Sequence, residues 1–377
     1  MFQFALRQLA LDRLRTGFVA LAVGAAIAII LILRGFEQGM YSQLSAMVLN
    51  RGAQLFVAQA GVTNFIAVRS SLPQLTRGRV EAVPGVTAAH PLTGLPVIYG
   101  PAGNRVPVYI LVYDDFGGPA PIVAGGPIRG SREVIIDVGL SRRYGLRPGD
   151  PLVVSDFEFR VAGITTGNSA LFMPFLYVSY DGMIDFYLES EVAPDISTFP
   201  LLSFLLLELA PGADAAVVAR AIEAQVPEAD VLTPEQLARN DVTLGRELLG
   251  PIMRALIALA YVIGILVVGL IVYADVTSRR RNFGVMKALG FRLAHLVTTV
   301  SAQTLLLLAL AVPIGLALAL AIAGAIERVV PVYRVYVMEP AGLAATAAGI
   351  VVMALAGALL PLRVIARTDP TVVFQET

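Results

Sequence analysis

The chain has 377 residues, 56% of them hydrophobic and only 15% charged, and its mean hydropathy of +0.74 excludes an ordinary soluble domain. A formal net charge of zero argues against nucleic acid as a partner, and the absence of cysteine removes disulfides and thiolate metal sites.

Residues 1–16 form an amphipathic leading segment carrying Arg7, Arg13 and Arg15. A first span is expected over 17–34, uncharged from Gly17 to Leu33 and so about 25 Å long as a helix. No clear small-x-small cleavage site closes the apolar run before Arg34, and the pattern continues amphipathically from Phe36, so this run reads as a span and not as a signal peptide.

Residues 35–250 read as one large α+β domain. Strands are expected at "AQLFVAQ" (53–59), "LPVIYG" (95–100) and "RVPVYILVY" (105–113), all rich in β-branched and aromatic residues. "REVIIDVGLSRRYGLRPGDPLVV" holds a strand, a short helix, and a Pro148-Gly149-Asp150 turn into another strand. "DFEFRVAGI" alternates as a half-exposed strand should, and "LLSFLLL" (201–207) is too short to span and reads as a buried strand. "VEAVPGVTAA" (80–89) and "IEAQVPEADV" (222–231) echo each other as helix end, Pro break and strand. The echo suggests two βαβ halves of a ferredoxin-like unit, with about 120–200 as an inserted β-rich subdomain. "TPEQ" (233–236) then starts a helix with a capping box and Pro at its first position. Its spacing fits an ordinary connecting helix as well as one that carries motion.

Further spans follow at 251–274, 296–326 and 340–362, separated by a loop at 275–295 and a short one at 327–339, with a tail at 363–377. The positive-inside rule places the arginines before the first span, those at 279–281 with Lys287 and Arg292, and Arg363 and Arg367 in the cytoplasm. Both termini are then inside, and 35–250 and 327–339 lie outside. The expected fold class is an α-helical membrane protein with four transmembrane helices plus a large extracytoplasmic α+β domain.

Several chemistries are missing from the sequence. A P-loop needs Gly-Lys-Ser/Thr, and the one lysine, Lys287, sits between Met286 and Ala288. The two histidines, His90 and His295, are far apart in sequence, and His90 reads as a loop or strand-end residue. "GNSAL" (167–171) lacks the glycine that a nucleophile elbow needs after Ser169. No catalytic constellation, metal site or bound cofactor is therefore expected. The spans offer little polarity beyond Gln303, Thr304 and Pro313, a poor basis for a self-sufficient transport path. Gly264, Gly269, Gly315, Gly349 and Gly357 suit close helix packing, including packing against a second copy.

The loop "RRRNFGVMKALGF" (279–291) carries more than topology requires. Its arginines are explained by orientation alone. A Phe283/Met286/Leu289 stripe closed by Gly290 as a C-terminal cap is explained better as a face for a partner.

One span, a large outer domain, three more spans and both ends inside resembles the layout of the MacB/FtsX-like (type VII) ABC transporter permeases. "FALRQLALDRLRTGFVALAVG" is similar to the family's amphipathic helix leading into span one, and "EVIIDVGLSRRYGLRPGDPLVV…FRVAGI" to its outer-domain core. "RRRNFGVMKALGF" resembles the family's cytoplasmic loop pattern, and "PLRVIARTDPTVVFQ" its closing segment, with Arg363, Arg367, Asp369 and Pro370 on patterned positions. "YADVTSRRRNFGVMKALGF", "GFEQGMYSQL" and "PVYILVYDD" look closest to the DevC-like branch. Asn282 stands where the family usually has Glu, and Gln303 where it often has Glu, so ion pairs made by those glutamates are in doubt here.

The resemblance implies a permease subunit whose ATP and Mg are handled by a separate ABC ATPase. That ATPase would dock on Arg280, Arg281, Asn282, Phe283, Gly284, Met286, Lys287, Leu289 and Gly290. It also implies a second permease copy, and movement passed to the outer domain (mechanotransmission) in place of substrate passed between spans. The DevC-like flavour points to export of a lipidic or amphiphilic substrate with a periplasmic adaptor and an outer-membrane channel. Activation of a cell-wall hydrolase and lipoprotein extraction are the alternatives within the same architecture.

Overall fold

The structure is a computed structural model that describes residues 13–65, 68, 70–101, 103–167, 173–191, 202–278, 285–286, 293–330 and 332–359. Two compact units emerge: one from the described parts of 1–38, 250–326 and 335–377, the other from 39–249 together with 327–334.

The first unit contains four helices long and apolar enough to cross a membrane. They belong to α1 (Arg13–Leu49), α7 (Gly250–Ser278), α8 (Leu293–Val329) and α9 (Pro340–Leu359). Their glycines are used within the chain. A Cβ on Gly315 would lie 2.7 Å from the Gly24 carbonyl, and one on Gly357 would lie 2.8 Å from the Ile265 carbonyl. A Cβ on Gly349 would meet the Tyr261 hydroxyl at 2.5 Å, and one on Gly264 would collide with the Met353 thioether. These four glycines therefore let α1 approach α8, and α7 approach α9, inside one chain. They are not left over for a second copy. Around that packing, Val23, Ile27, Val268, Leu307, Ala311 and Met353 form a buried apolar core.

The second unit is built on one ten-stranded sheet. Its strands are β1 (Leu55–Gln59), β2 (Val86–Tyr99), β3 (Val106–Tyr113), β4 (Ile122–Gly125), β5 (Glu133–Asp137), β6 (Pro151–Val154), β7 (Phe157–Thr165), β8 (Phe175–Ser179), β9 (Phe204–Leu209) and β10 (Ala229–Leu232). Its helices are α2 (Thr76–Glu81), α3 (Val138–Tyr144), α4 (Tyr180–Glu189), α5 (Ala215–Gln225) and α6 (Pro234–Leu248). The spatial order β10-β1-β9-β2, antiparallel throughout, joins β1-α2-β2 to β9-α5-β10. These are the two βαβ halves of a ferredoxin-like unit, ending at the two echoing Pro-containing segments. The sheet then continues as β3-β8-β5-β7-β4, with β6 also paired to β7. The departure from the four-strand unit thus begins at Val106, ahead of residue 120, because β2 is long enough to pair with β9 at one end and β3 at the other.

Both faces of this sheet are covered at β1, β5, β8 and β9, which explains those uninterrupted apolar strands, whereas β7 alternates buried and exposed residues over Phe157–Val161 as its sequence pattern predicts. Phe204 and Leu206 enter a core with Met40, Leu44, Met47, Val48, Leu237 and Ala238. The alternate residues Leu205 and Leu207 face Val80, Val218 and Ile222 from α2 and α5. In the inserted half, Ile110, Val134 and Val178 pack under Leu140 of α3 and Phe186 of α4. A strand buried on both sides needs no polar alternation. His90 lies within β2 and not at its end, with its ring 4.7 Å from Phe116 and its Nε2 3.4 Å from Glu208.

Candidate functional site

The sequence-marked loop lies largely outside the described residues. Arg280, Arg281, Asn282, Phe283, Gly284, Lys287, Leu289 and Gly290 fall there, as do Arg363, Arg367, Asp369 and Pro370. Two loop residues are described: Val285 is 44% exposed, and Met286 is partly buried against the core of the four apolar helices. Asp275, four residues before this loop near the end of α7, approaches Arg15 near the start of α1 to 3.6 Å.

A second site assembles in the α+β unit from segments the sequence does not join. Residues 39–49 of α1 and the whole of α6 lie in this unit, on the same face of the sheet. They touch each other directly: a Cβ on Gly245 would lie 2.6 Å from Leu44, and the Arg246 guanidinium sits 5.2 Å from the Tyr41 ring centre. Helix α6 begins where expected, with Thr233 Oγ1 accepting from Gln236 N and Gln236 Oε1 accepting from Thr233 N. One helix therefore brings the chain in from the first apolar span, and the other leads it out toward the second.

Two ionisable groups are enclosed in that region. Arg51, just past the end of α1, is 5% exposed; its Nη1 donates to the Gly117 carbonyl at 2.7 Å, and its guanidinium lies 5.1 Å from the Phe65 ring centre. Asp241 of α6 is 4% exposed, and its Oδ1 accepts from Phe65 N at 2.9 Å. Its Oδ2 has no hydrogen-bond partner among the described residues. Burial pushes the Asp241 carboxyl up to about 7, opposed in part by the Phe65 hydrogen bond.

The loop between α8 and α9 contributes a third element. Residues 327–334 group with the α+β unit. Gln43 Nε2 donates to the Val332 carbonyl at 2.7 Å, Arg334 Nη2 donates to Thr166 Oγ1 at 2.7 Å, and Arg142 Nη1 reaches the Glu327 carbonyl at 3.4 Å. Gly139 and Gly39 make this seat possible. A Cβ on Gly139 would lie 2.8 Å from Val332 Cγ2, and one on Gly39 would collide with the Arg334 carbonyl. Asp137 caps α3 by accepting from Gly139 N at 2.7 Å, and its other oxygen is buried without a partner among the described residues. Burial raises the Asp137 carboxyl to about 6 against the pull of the Gly139 hydrogen bond, Arg334 and Arg142.

This seat was not found from sequence. The short loop at 327–339 reads only as a connection, and the one available signal was an aspartate ending an apolar strand two residues before a glycine. Thr299 and Thr304, two buried polar residues of α8, donate to the carbonyls of His295 and Val300 four residues back and so bond within the helix.

Comparison with known proteins covers both units. Residues 18–225 match the MacB-like periplasmic core domain, and residues 254–370 match the FtsX-like permease C-terminal domain. The ABC transporter permeases Rv0072 and Rv2563 of Mycobacterium tuberculosis are each 24% identical over 304 residues, 80% of this chain and 80% of theirs. Among solved structures, the periplasmic region of MacB from Actinobacillus actinomycetemcomitans is similar at 11% identity and a TM-score of 0.37. That match covers 50% of this chain and 94% of the MacB region.

Proposed function

The chain belongs to the MacB/FtsX-like ABC transporter permeases, and from that premise we propose that it couples ATP hydrolysis by a separate ATPase subunit to movement of its extracytoplasmic domain. The observation that carries this reading is the shared seat of α1 and α6: two helices continuous in sequence with apolar spans end in one apolar core under the sheet. Tilting of either span would be felt there as a displacement of packed side chains, since close-packed interiors transmit strain. The seat of the 327–334 loop, between α8 and α9, supports the same division of labour. The ATPase would dock on the cytoplasmic loop around Phe283, as an amphipathic helix docks in an apolar groove. The work done would be export of a lipidic or amphiphilic molecule with a periplasmic adaptor that hands it to an outer-membrane channel. Purification in mild detergent tests the reading: a separate ABC ATPase should co-purify, and its hydrolysis should rise in the reconstituted pair. An ATPase that neither co-purifies nor responds would defeat it.

A second permease copy would pack on α7. Ile252, Leu256, Leu259, Ile263, Leu266, Leu270 and Tyr273 are all exposed and follow alternating steps of four and three residues. A helix packed on one side exposes a stripe at this spacing, and a second helix wound around it would bury that stripe. Because the chain has no cysteine, Ile263→Cys gives a single reporter thiol. Oxidation in membranes should produce a disulfide-linked dimer from this variant and none from Val352→Cys, on the exposed face of α9. The reverse pattern would move the interface away from α7.

A further inference from the structure

A cleft opens in the four-helix unit between the Leu31–Gln38 stretch of α1 and the start of α9. It exists because Gly35 lets the chain leading into α9 approach closely: Tyr336 N donates to the Gly35 carbonyl at 3.0 Å, and a Cβ on Gly35 would meet Tyr336 backbone at 3.0 Å. Its floor is apolar, with Leu31 buried and Leu343 half-open. Its charged lining is one cation and two carboxylates, Arg34, Glu37 and Glu339, with Gln38 and Thr346 as uncharged polar neighbours. Arg34 is 3.3 Å from Glu37, which leaves Glu339 with no charge partner within ion-pair distance among the described residues.

The position of the cleft along the helices matters as much as its lining. Leu31 is three residues before the charge that ends the first apolar run, and Pro340 opens the last. The cleft therefore lies at the level where hydrocarbon gives way to water, where Tyr336, 43% exposed, is also placed as interfacial tyrosines are. Apolar side chains meet charged ones at this single level, which is the arrangement an amphiphile presents. Two carboxylates against one guanidinium favour a headgroup carrying a positive charge. The Arg34–Glu37 pair can accept the anionic oxygen next to it.

We infer that this cleft binds the headgroup of a zwitterionic amphiphile bearing a primary ammonium, with the ammonium at Glu339 and the phosphate oxygen at Arg34. The inference rests on the permease reading for the location of the spans and adds to it the headgroup class. Its test needs neither the ATPase nor transport, so the two fail separately. The full chain is reconstituted in nanodiscs of phosphatidylethanolamine, phosphatidylglycerol or phosphatidylcholine, and lipid retained after detergent exchange is counted by native mass spectrometry. Phosphatidylethanolamine should be retained preferentially, and Glu339→Gln should lower that retention about fivefold, the upper end for one solvent-accessible ion pair. Hydrogen exchange at residues 31–38 and 336–346 should slow in phosphatidylethanolamine for the unchanged chain and not for Glu339→Gln. Glycerophosphoethanolamine, which has the headgroup without tails, separates a membrane lipid from a soluble ligand: a lipid site ignores it at millimolar concentration. Preference for phosphatidylglycerol, equal retention of all three lipids, protection by the tail-less headgroup alone, or an unchanged Glu339→Gln variant would each overturn the inference.

Discussion

Phe283→Glu leaves the protein inserted in the membrane and abolishes stimulation of the partner ATPase. The substitution lies in a loop between apolar runs, so neither the length nor the hydropathy of any span changes. An aromatic anchor seated in a partner's groove typically contributes about 2–4 kcal/mol, and a carboxylate put in its place must also be desolvated. Docking should therefore weaken by about thirtyfold or more. Met286 is the less suitable position for this experiment because it already packs against the chain's own apolar core, so its replacement by Glu would disturb that packing as well. A companion substitution, Asn282→Glu, places an acid where the resemblance to the family's loop pattern expects one and should leave stimulation intact or raise it. Stimulated hydrolysis is measured on the co-purified pair in nanodiscs, with membrane insertion checked by carbonate extraction. If Phe283→Glu stimulates as well as the unchanged chain, the stripe is not the docking face.

Features governed by local chemistry were legible in the sequence, and features governed by long-range contact were not. The spans could be read because a helix in hydrocarbon must satisfy every backbone group internally and present apolar side chains for about 20 residues. The start of α6 could be read because Thr233, Pro234 and Gln236 each act on a backbone group within three residues. The two βαβ halves were legible through the Pro breaks that end α2 and α5 at matching places. Strand β8 and helix α4, from Phe175 to Glu189, were not anticipated: β8 gains its definition from β3 and β5, about forty to sixty residues away. The use of the span glycines was invisible for the same reason. A small residue on a helix looks alike whether its neighbour is Met353 of the same chain or a residue of a second copy. The burial of Arg51 and Asp241 follows only once α1 and α6 are known to share one face of the sheet.

Those buried acids give the second large effect: the α+β unit loses stability as pH rises from about 4 to about 7. In the unfolded chain both carboxyls titrate near 4, whereas in the folded chain Asp241 is raised to about 7 and Asp137 to about 6. Between those limits the folded state holds protons that the unfolded state has released, so stability falls with increasing pH. The contribution is fully present below about 4 and is lost once pH has passed about 7. Its size is on the order of a few kcal/mol, since each pH unit over which the two states differ by one proton is worth about 1.4 kcal/mol. Asp241→Asn keeps an acceptor for Phe65 N and removes the charge, so it should flatten most of this slope and exceed the unchanged chain in stability at pH 8. Asp137→Asn, with Asn as good an N-cap as Asp, should flatten the remainder, with a smaller gain in stability at pH 8 because Arg334 loses a nearby carboxylate. The chain has no tryptophan, so calorimetry and hydrogen exchange of the β1 and β9 amides on the detergent-solubilised protein are the measurements to use. An unchanged chain more stable at pH 8 than at pH 5, or an Asp241→Asn variant with the same slope, would contradict the assignment. The consequence is mechanical as well as energetic. Asp241 sits on the helix that leads into the second span and holds Phe65 N, so its ionisation acts on the contact that seats α6 in this unit.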